Sequence, residues 1–202
     1  MMPARRILVP LVVVALAAAL YFWRGFGGAP IVDLSGDVSA CAANLRQIHA
    51  GLLRYALREK HAPTESGVRL LGALFASGAL EPANRAYLSC PGPGAAAVPE
   101  KVDYRYLEAL TGADSAYAAR DNVAFPLAKF PSGGAELEPL VACDNAHGLN
   151  HDGCMNVLYS DGSVVTLFLA EEIERGLLPA GATTIPIGKD SPILDLCKLT
   201  TD

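Results

Sequence analysis

Cys143, His147, His151 and Cys154 fall within twelve residues, with Asp144, Asp152 and Asp161 among or just beyond them. Thiolates and imidazoles at that density are zinc donors, because zinc takes sulfur and nitrogen ligands in a tetrahedron. The gaps hold three, three and two residues, a spacing that matches no finger or zincin pattern. Oxygens from Asp144, Asn145, Asn150, Asp152 and Asp161 suit calcium instead, but no Asp-x-Asp-x-Asp-Gly loop is present. The reading from residue types is therefore no cofactor, with calcium or zinc as the metals the loop allows and His147, His151, Asp152 and Asp161 as secondary candidate ligands. His151 is expected to hydrogen-bond across the base of a hairpin. A Cys154 nucleophile with His147 or His151 as its base is the other chemistry on offer. No Gly-x-Ser-x-Gly elbow, phosphate loop or Cys-x-x-Cys accompanies it, so no catalytic residue is assigned.

The elements that must position these groups begin with the hairpin. Asn156 to Leu169 reads as two strands rich in β-branched and aromatic residues, joined at Asp161-Gly162, where glycine supplies the positive φ of a tight turn. Pro139 to Cys143 is a short apolar strand before it, and Val102 to Leu107 alternates as a strand does. Upstream, Val38, Cys41, Leu45, Ile48, Leu52 and Ala56 recur at helical spacing through about Lys60, with Asp37 as the N-cap. A shorter helix is expected over Val68 to Leu80 and another over Ala170 to Leu178. The stretch from Thr111 to Glu138 and the tail from Pro179 carry no clear period.

Residues 1–24 form a different region. Arg5 and Arg6 precede an unbroken uncharged run, Ile7 to Trp23, about 25 Å long as a helix and enough for a short membrane span. The basic leader places the N-terminus in the cytoplasm and the rest outside. The formal charge of −5 conceals an asymmetry: residues 25–202 carry 13 bases against 21 acids, a net of −8. Such a surface argues against nucleic acid as a ligand. Five cysteines, Cys41, Cys90, Cys143, Cys154 and Cys197, would then face an oxidising compartment. Cys90 and Cys143 are the disulfide candidates, since a bridge there would tie the Pro/Gly-rich loop 82–100 to the sheet. Cys41 reads equally well as a small buried hydrophobe.

The helix run Cys41-Ala-Ala-Asn-Leu-Arg-Gln-Ile48, the Ser89-Cys-Pro91 loop, Tyr104-Arg-Tyr106 and the late His151, Asp161, Gly162 hairpin occur in an order that resembles bacterial type IV pilin-like and pseudopilin-like proteins with a prepilin-type H-X9-DG C-terminal domain. The resemblance covers about residues 38–170, and the H-X9-DG block is its most specific part. It implies an α+β fold in which a long amphipathic helix packs on a small antiparallel sheet. It also implies a membrane-tethered or fibre-associated role related to type II secretion or type IV pili. The chain departs from the prepilin pattern at its start, where Arg6-Ile-Leu-Val stands in place of a Gly-Phe-x-x-x-Glu peptidase site. Gly27, Gly28 and Pro30 also interrupt the helix, so the anchor reads as an ordinary signal anchor.

The expected organisation is a cytoplasmic stub and anchor at 1–24, a linker at 25–36 and an extracytoplasmic pilin-like domain at 37–202, with the hairpin at 151–169. The expected protein is a single-pass inner-membrane protein whose periplasmic or extracellular domain is no enzyme. It would have a structural or binding role, with protein partners in a membrane or pilus-like assembly. The alternatives are a metal-dependent or thiol hydrolase built on the 143–161 loop, and a secreted soluble binding domain.

Overall fold

The computed structural model describes residues 36–99, 102–127, 130–131, 136–143 and 148–202. The anchor expected at 7–23 and His147 lie outside the described residues. Among those described, no helix is long and apolar enough to cross a membrane.

Helix α1 runs from Gly36 to Glu59. Its buried residues, among them Val38, Cys41, Leu45, Ile48, Leu52 and Ala56, are the stripe expected from their spacing, and Arg46, Arg54 and Arg58 take the exposed side. Fully burying Leu45, Ile48 and Leu52 is worth about 1.5–3 kcal/mol each. The helix ends at Lys60, whose φ of 65° leaves the helical region just before His61-Ala-Pro63. Helix α2, Gly67–Ala76, is shorter than expected and buries all but Arg69 and Ala76. Ser77 and Gly78 stop it by donating their amides to Ala73 and Phe75 carbonyls, with Gly78 at φ 71°.

Five strands form one antiparallel sheet: β1 Tyr117–Arg120, β2 Pro139–Cys143, β3 Cys154–Tyr159, β4 Val164–Phe168 and β5 Leu199–Thr200. Their order is β4-β3-β2-β1-β5, a meander of the first four with the tail strand added beside β1. Residues of β1, β2 and β3 are buried throughout. Helix α1 packs against β3 and β4, and α2 against β1. A last short helix, α3, spans Leu169–Glu174. The architecture is α+β with a five-stranded antiparallel sheet.

The hairpin between β3 and β4 has a three-residue loop. Tyr159 donates its amide to the Ser163 carbonyl and Gly162 donates to Tyr159, both at 2.9 Å. With Gly162 at φ 85° this is a type I turn closed by a left-handed residue. The Asp161 carboxylate accepts from the Ser163 amide and hydroxyl. His49 of α1 covers the turn, its Nε2 3.1 Å from the Ser160 carbonyl, and a Cβ on Gly162 would sit 2.9 Å from its ring. The backbone angle calls for the glycine, and a side chain there would also displace the His49 ring.

Three expectations differ from the fold. Val102 to Leu107 is not a strand: Tyr104 lies in a turn, stacked on Phe75 at 5.1 Å between ring centroids, and donates its hydroxyl to the Asp114 carbonyl at 2.6 Å. The alternation marks a buried and an exposed tyrosine with no partner strand. Strands β1 and β5 lie in stretches read as irregular, because Tyr117-Ala-Ala-Arg120 lacks branched residues and Leu199-Thr200 is only two residues long. Asp37 sits in the first turn of α1, not at its cap, and its carboxylate is committed elsewhere.

Candidate metal centre

Four side chains converge from four separate segments: Cys41 from the second turn of α1, Cys90 from the loop after a 3-10 turn at Pro82–Leu88, Cys143 from the end of β2, and His151 from the loop before β3. Their ligand atoms all lie within 4.8 Å of one another. The Cys41 and Cys143 sulfurs are 3.0 Å apart, and Cys90 Sγ is 3.2 Å from His151 Nε2. The residues are 0%, 8%, 1% and 1% exposed in chain order, so the cluster is buried, with Cys90 its most exposed member.

Each arrival has a local cause. Cys41 belongs to the apolar stripe of α1, so the packing that buries Leu45 and Ile48 buries its thiol. The Cys90 loop is held at two points. Asn44 of α1 donates to the Ser89 carbonyl at 3.0 Å, and the Gly94 amide donates to the Asn150 carbonyl at 3.0 Å. A Cβ on Gly92 would overlap that Asn150 carbonyl oxygen and approach His151 Nδ1 to 2.7 Å. The run Cys90-Pro-Gly-Pro-Gly94 therefore lies backbone against backbone on the His151 loop, which only glycine permits. Asn150, buried, donates to the Ala116 carbonyl, and Gly153 at φ 66° turns the chain back into β3.

A shell of polar groups surrounds the donors. Asp37 Oδ2 lies 2.9 Å from His151 Nδ1, which leaves Nε2 pointing at the three sulfurs. The Tyr117 hydroxyl is 3.7 Å from Cys41 Sγ. Buried Asn156 donates to the Val38 carbonyl and accepts from Thr166, tying the first turn of α1 to β3 and β4.

The charges follow from this packing. Burial opposes charge on His151, but hydrogen bonds to Cys41, Cys90 and Asp37 outweigh it and push its pKa up to about 11. Hydrogen bonds from Cys143 and then Cys90 pull the Cys41 thiol far below its ordinary value, against the effect of burial. Contact with Cys41 and Cys90, reinforced by burial, pushes Cys143 well above it.

The donor set fits a soft or borderline divalent ion. Sulfur stands about 2.3 Å and imidazole nitrogen about 2.0–2.1 Å from a tetrahedral zinc, which puts two such sulfurs about 3.8 Å apart. The Cys41 and Cys143 sulfurs, at 3.0 Å, stand closer than that, and all four donor atoms lie within 4.8 Å of one another, near enough to share one ion. A histidine whose second nitrogen meets a carboxylate is the usual support for a zinc ligand. Three sulfurs and one nitrogen leave calcium, which takes oxygen ligands, without a place here.

The expected site residues divide accordingly. His151 is at the centre: its ring meets Asp37 and Cys90, while its backbone bridges to Cys154 at the start of β3. Asp161 shapes the turn, Asp152 is exposed, and neither joins the cluster. All five cysteines are free and no bridge joins Cys90 to Cys143; both sulfurs turn toward Cys41 and His151. Cys154, one residue from the loop, is buried but outside the cluster, and burial pushes its thiol pKa up. Cys41 was not recognised as a donor because its helical spacing already explained it as core. Asp37 was missed for a similar reason, since a cap accounted for it. Comparison with family models, curated proteins and solved structures finds no match to this chain.

Proposed function

We propose that this chain is a membrane-tethered, pilin-like protein without enzymatic activity. Its extracytoplasmic α+β domain acts through protein contacts in a surface or secretion-related assembly, and zinc held by Cys41, Cys90, Cys143 and His151 locks that domain. The observation that carries this reading is the closure of the centre. Catalytic zinc keeps one position open for water or substrate, whereas structural zinc fills all four with protein donors. Here four buried donors supply all four positions. Asp37 would orient His151 and accept its Nδ1 proton, and Tyr117 would sit against the Cys41 sulfur.

The resemblance of the helix run and the H-X9-DG hairpin supports the pilin-like part, as does a long helix lying on an antiparallel sheet. In this reading the motif histidine is a ligand and the motif Asp161-Gly162 turn is a seat for His49. Both serve to hold α1 on the sheet, and neither needs a substrate.

The test uses the full chain in detergent. Membrane fractionation and protease protection should place it in the bilayer with the domain outside, and metal analysis should find about one zinc per chain. The cobalt-substituted chain should show tetrahedral thiolate spectra that azide or cyanide leaves unchanged. A cobalt spectrum that responds to added anion would reveal an open position and favour the hydrolase reading. A chain that takes up no zinc or cobalt would sink the metal lock, and one found outside the membrane fraction would sink the tether.

A further inference from the structure

The closed centre raises a question of compartment. Outside the cytoplasm, three adjacent thiols face oxidants that pair them. Cys41 and Cys143, 102 positions apart in sequence, bring their sulfurs within 3.0 Å. Cys90 differs from both: its sulfur is held toward His151 Nε2, and it is the least buried of the three. Cys154 and Cys197 are not in the cluster, and Cys197 donates its thiol to the Leu194 carbonyl.

We infer that Cys41 and Cys143 form a metal-or-disulfide pair: metal keeps them apart as ligands, and its loss lets them close into a bridge that staples α1 to β2. The inference rests on the reading of the centre as a metal site. The two states exclude each other by geometry. Sulfurs sharing a tetrahedral zinc stand about 3.8 Å apart, and sulfurs in a disulfide about 2.05 Å. Coordination also occupies the thiolate electron pair that would attack an oxidant. Either state joins the same helix to the same strand, so the domain keeps one fastening whichever is present.

The oxidant is a small disulfide, R–S–S–R, acting by thiol–disulfide exchange. The Cys90 thiolate attacks one sulfur, forming Cys90–S–S–R and releasing the first thiolate. Cys143 attacks Cys90 in that mixed disulfide and expels the second. Cys41 then attacks Cys143, leaving the Cys41–Cys143 bridge and returning Cys90 as a thiol. Overall two protein thiols lose two electrons and two protons, and R–S–S–R becomes two R–SH.

The experiment treats the reduced full chain in detergent with glutathione disulfide, once loaded with zinc and once stripped by chelator. Free thiols are then alkylated and peptides mapped by mass spectrometry. The stripped chain should lose two alkylatable thiols and yield a single cross-linked peptide pair containing Cys41 and Cys143. The zinc-loaded chain should oxidise at least about tenfold more slowly. In the stripped Cys90→Ser chain the same bridge should form, also about tenfold more slowly, because the entry thiol is gone. A bridge between other cysteines, a scrambled mixture, or equal rates with and without zinc would overturn the inference. So would unchanged kinetics in Cys90→Ser. Zinc uptake by the reduced chain is measured separately. No uptake defeats the metal reading, whereas uptake with any of the outcomes just named defeats only this inference.

Discussion

Asp37 in the first turn of α1 and His151 in the loop before β3 are 114 positions apart in sequence, and their carboxylate oxygen and Nδ1 meet at 2.9 Å. That contact links the start of the long helix to the one histidine of the centre, and fixes which ring nitrogen faces the sulfurs. Helix placement and ligand geometry are therefore one property of this fold.

Replacing Asp37 by Asn keeps the shape and removes the charge. Zinc affinity of the full chain should fall about 10–100-fold, measured by competition with a chelating dye. Circular dichroism in excess zinc should stay unchanged. Unaltered affinity would show that the carboxylate does not orient His151.

Removing the metal should act on the whole domain. Structural zinc contributes folding free energy directly, and total domain stabilities are about 5–15 kcal/mol. The reduced chain treated with chelator should therefore lose several kcal/mol, read as a large drop in the thermal midpoint. Adding zinc back should restore it. An identical melting curve with and without zinc would contradict the lock.

Gly92 offers a separate handle on the centre. A side chain there would collide with the Asn150 carbonyl and crowd His151, so Gly92→Ala should lift the Cys90 loop from its seat. We expect a loss of about 1–3 kcal/mol in stability together with weaker zinc binding. Gly181→Ala, where a Cβ meets nothing within 4 Å, should change neither.

Glu138 predicts the acid limb of stability away from the centre. It accepts from Arg120 at 2.8 Å and Lys198 at 3.0 Å, joining β1, the approach to β2 and the tail. Burial opposes its ionisation, but hydrogen bonds from Arg120 and Lys198 win and hold its pKa below the ordinary value. A depressed carboxyl favours the folded state above the unfolded value, near 4.3. That contribution is lost as pH falls through the folded value. Glu138→Gln should cost about 1–3 kcal/mol at pH 7, with the difference from wild type narrowing below about pH 4 in denaturant titrations. A difference that does not change with pH would rule the carboxylate out.

Much of the framework could be read along the chain. The α1 stripe, strand Pro139–Cys143 and the Asp161-Gly162 hairpin are governed by local spacing and turn chemistry, and these act between near neighbours. What escaped were features with no local mark. Strand β1 is built on alanines and β5 on two residues, so each exists only because a neighbouring strand supplies its hydrogen bonds.

The composition and order of residues are enough to set an apolar leader apart from an acidic α+β region and to single out His151 as unusual. They cannot say what His151 touches, because its partners come from positions 37, 41, 90 and 143. A cysteine on a helical stripe satisfies the rule for a core residue whether or not other thiols wait opposite it. Only the packing of α1 on the sheet, together with glycines that let the Cys90 loop lie flat on the His151 loop, turns separately unremarkable cysteines into one centre.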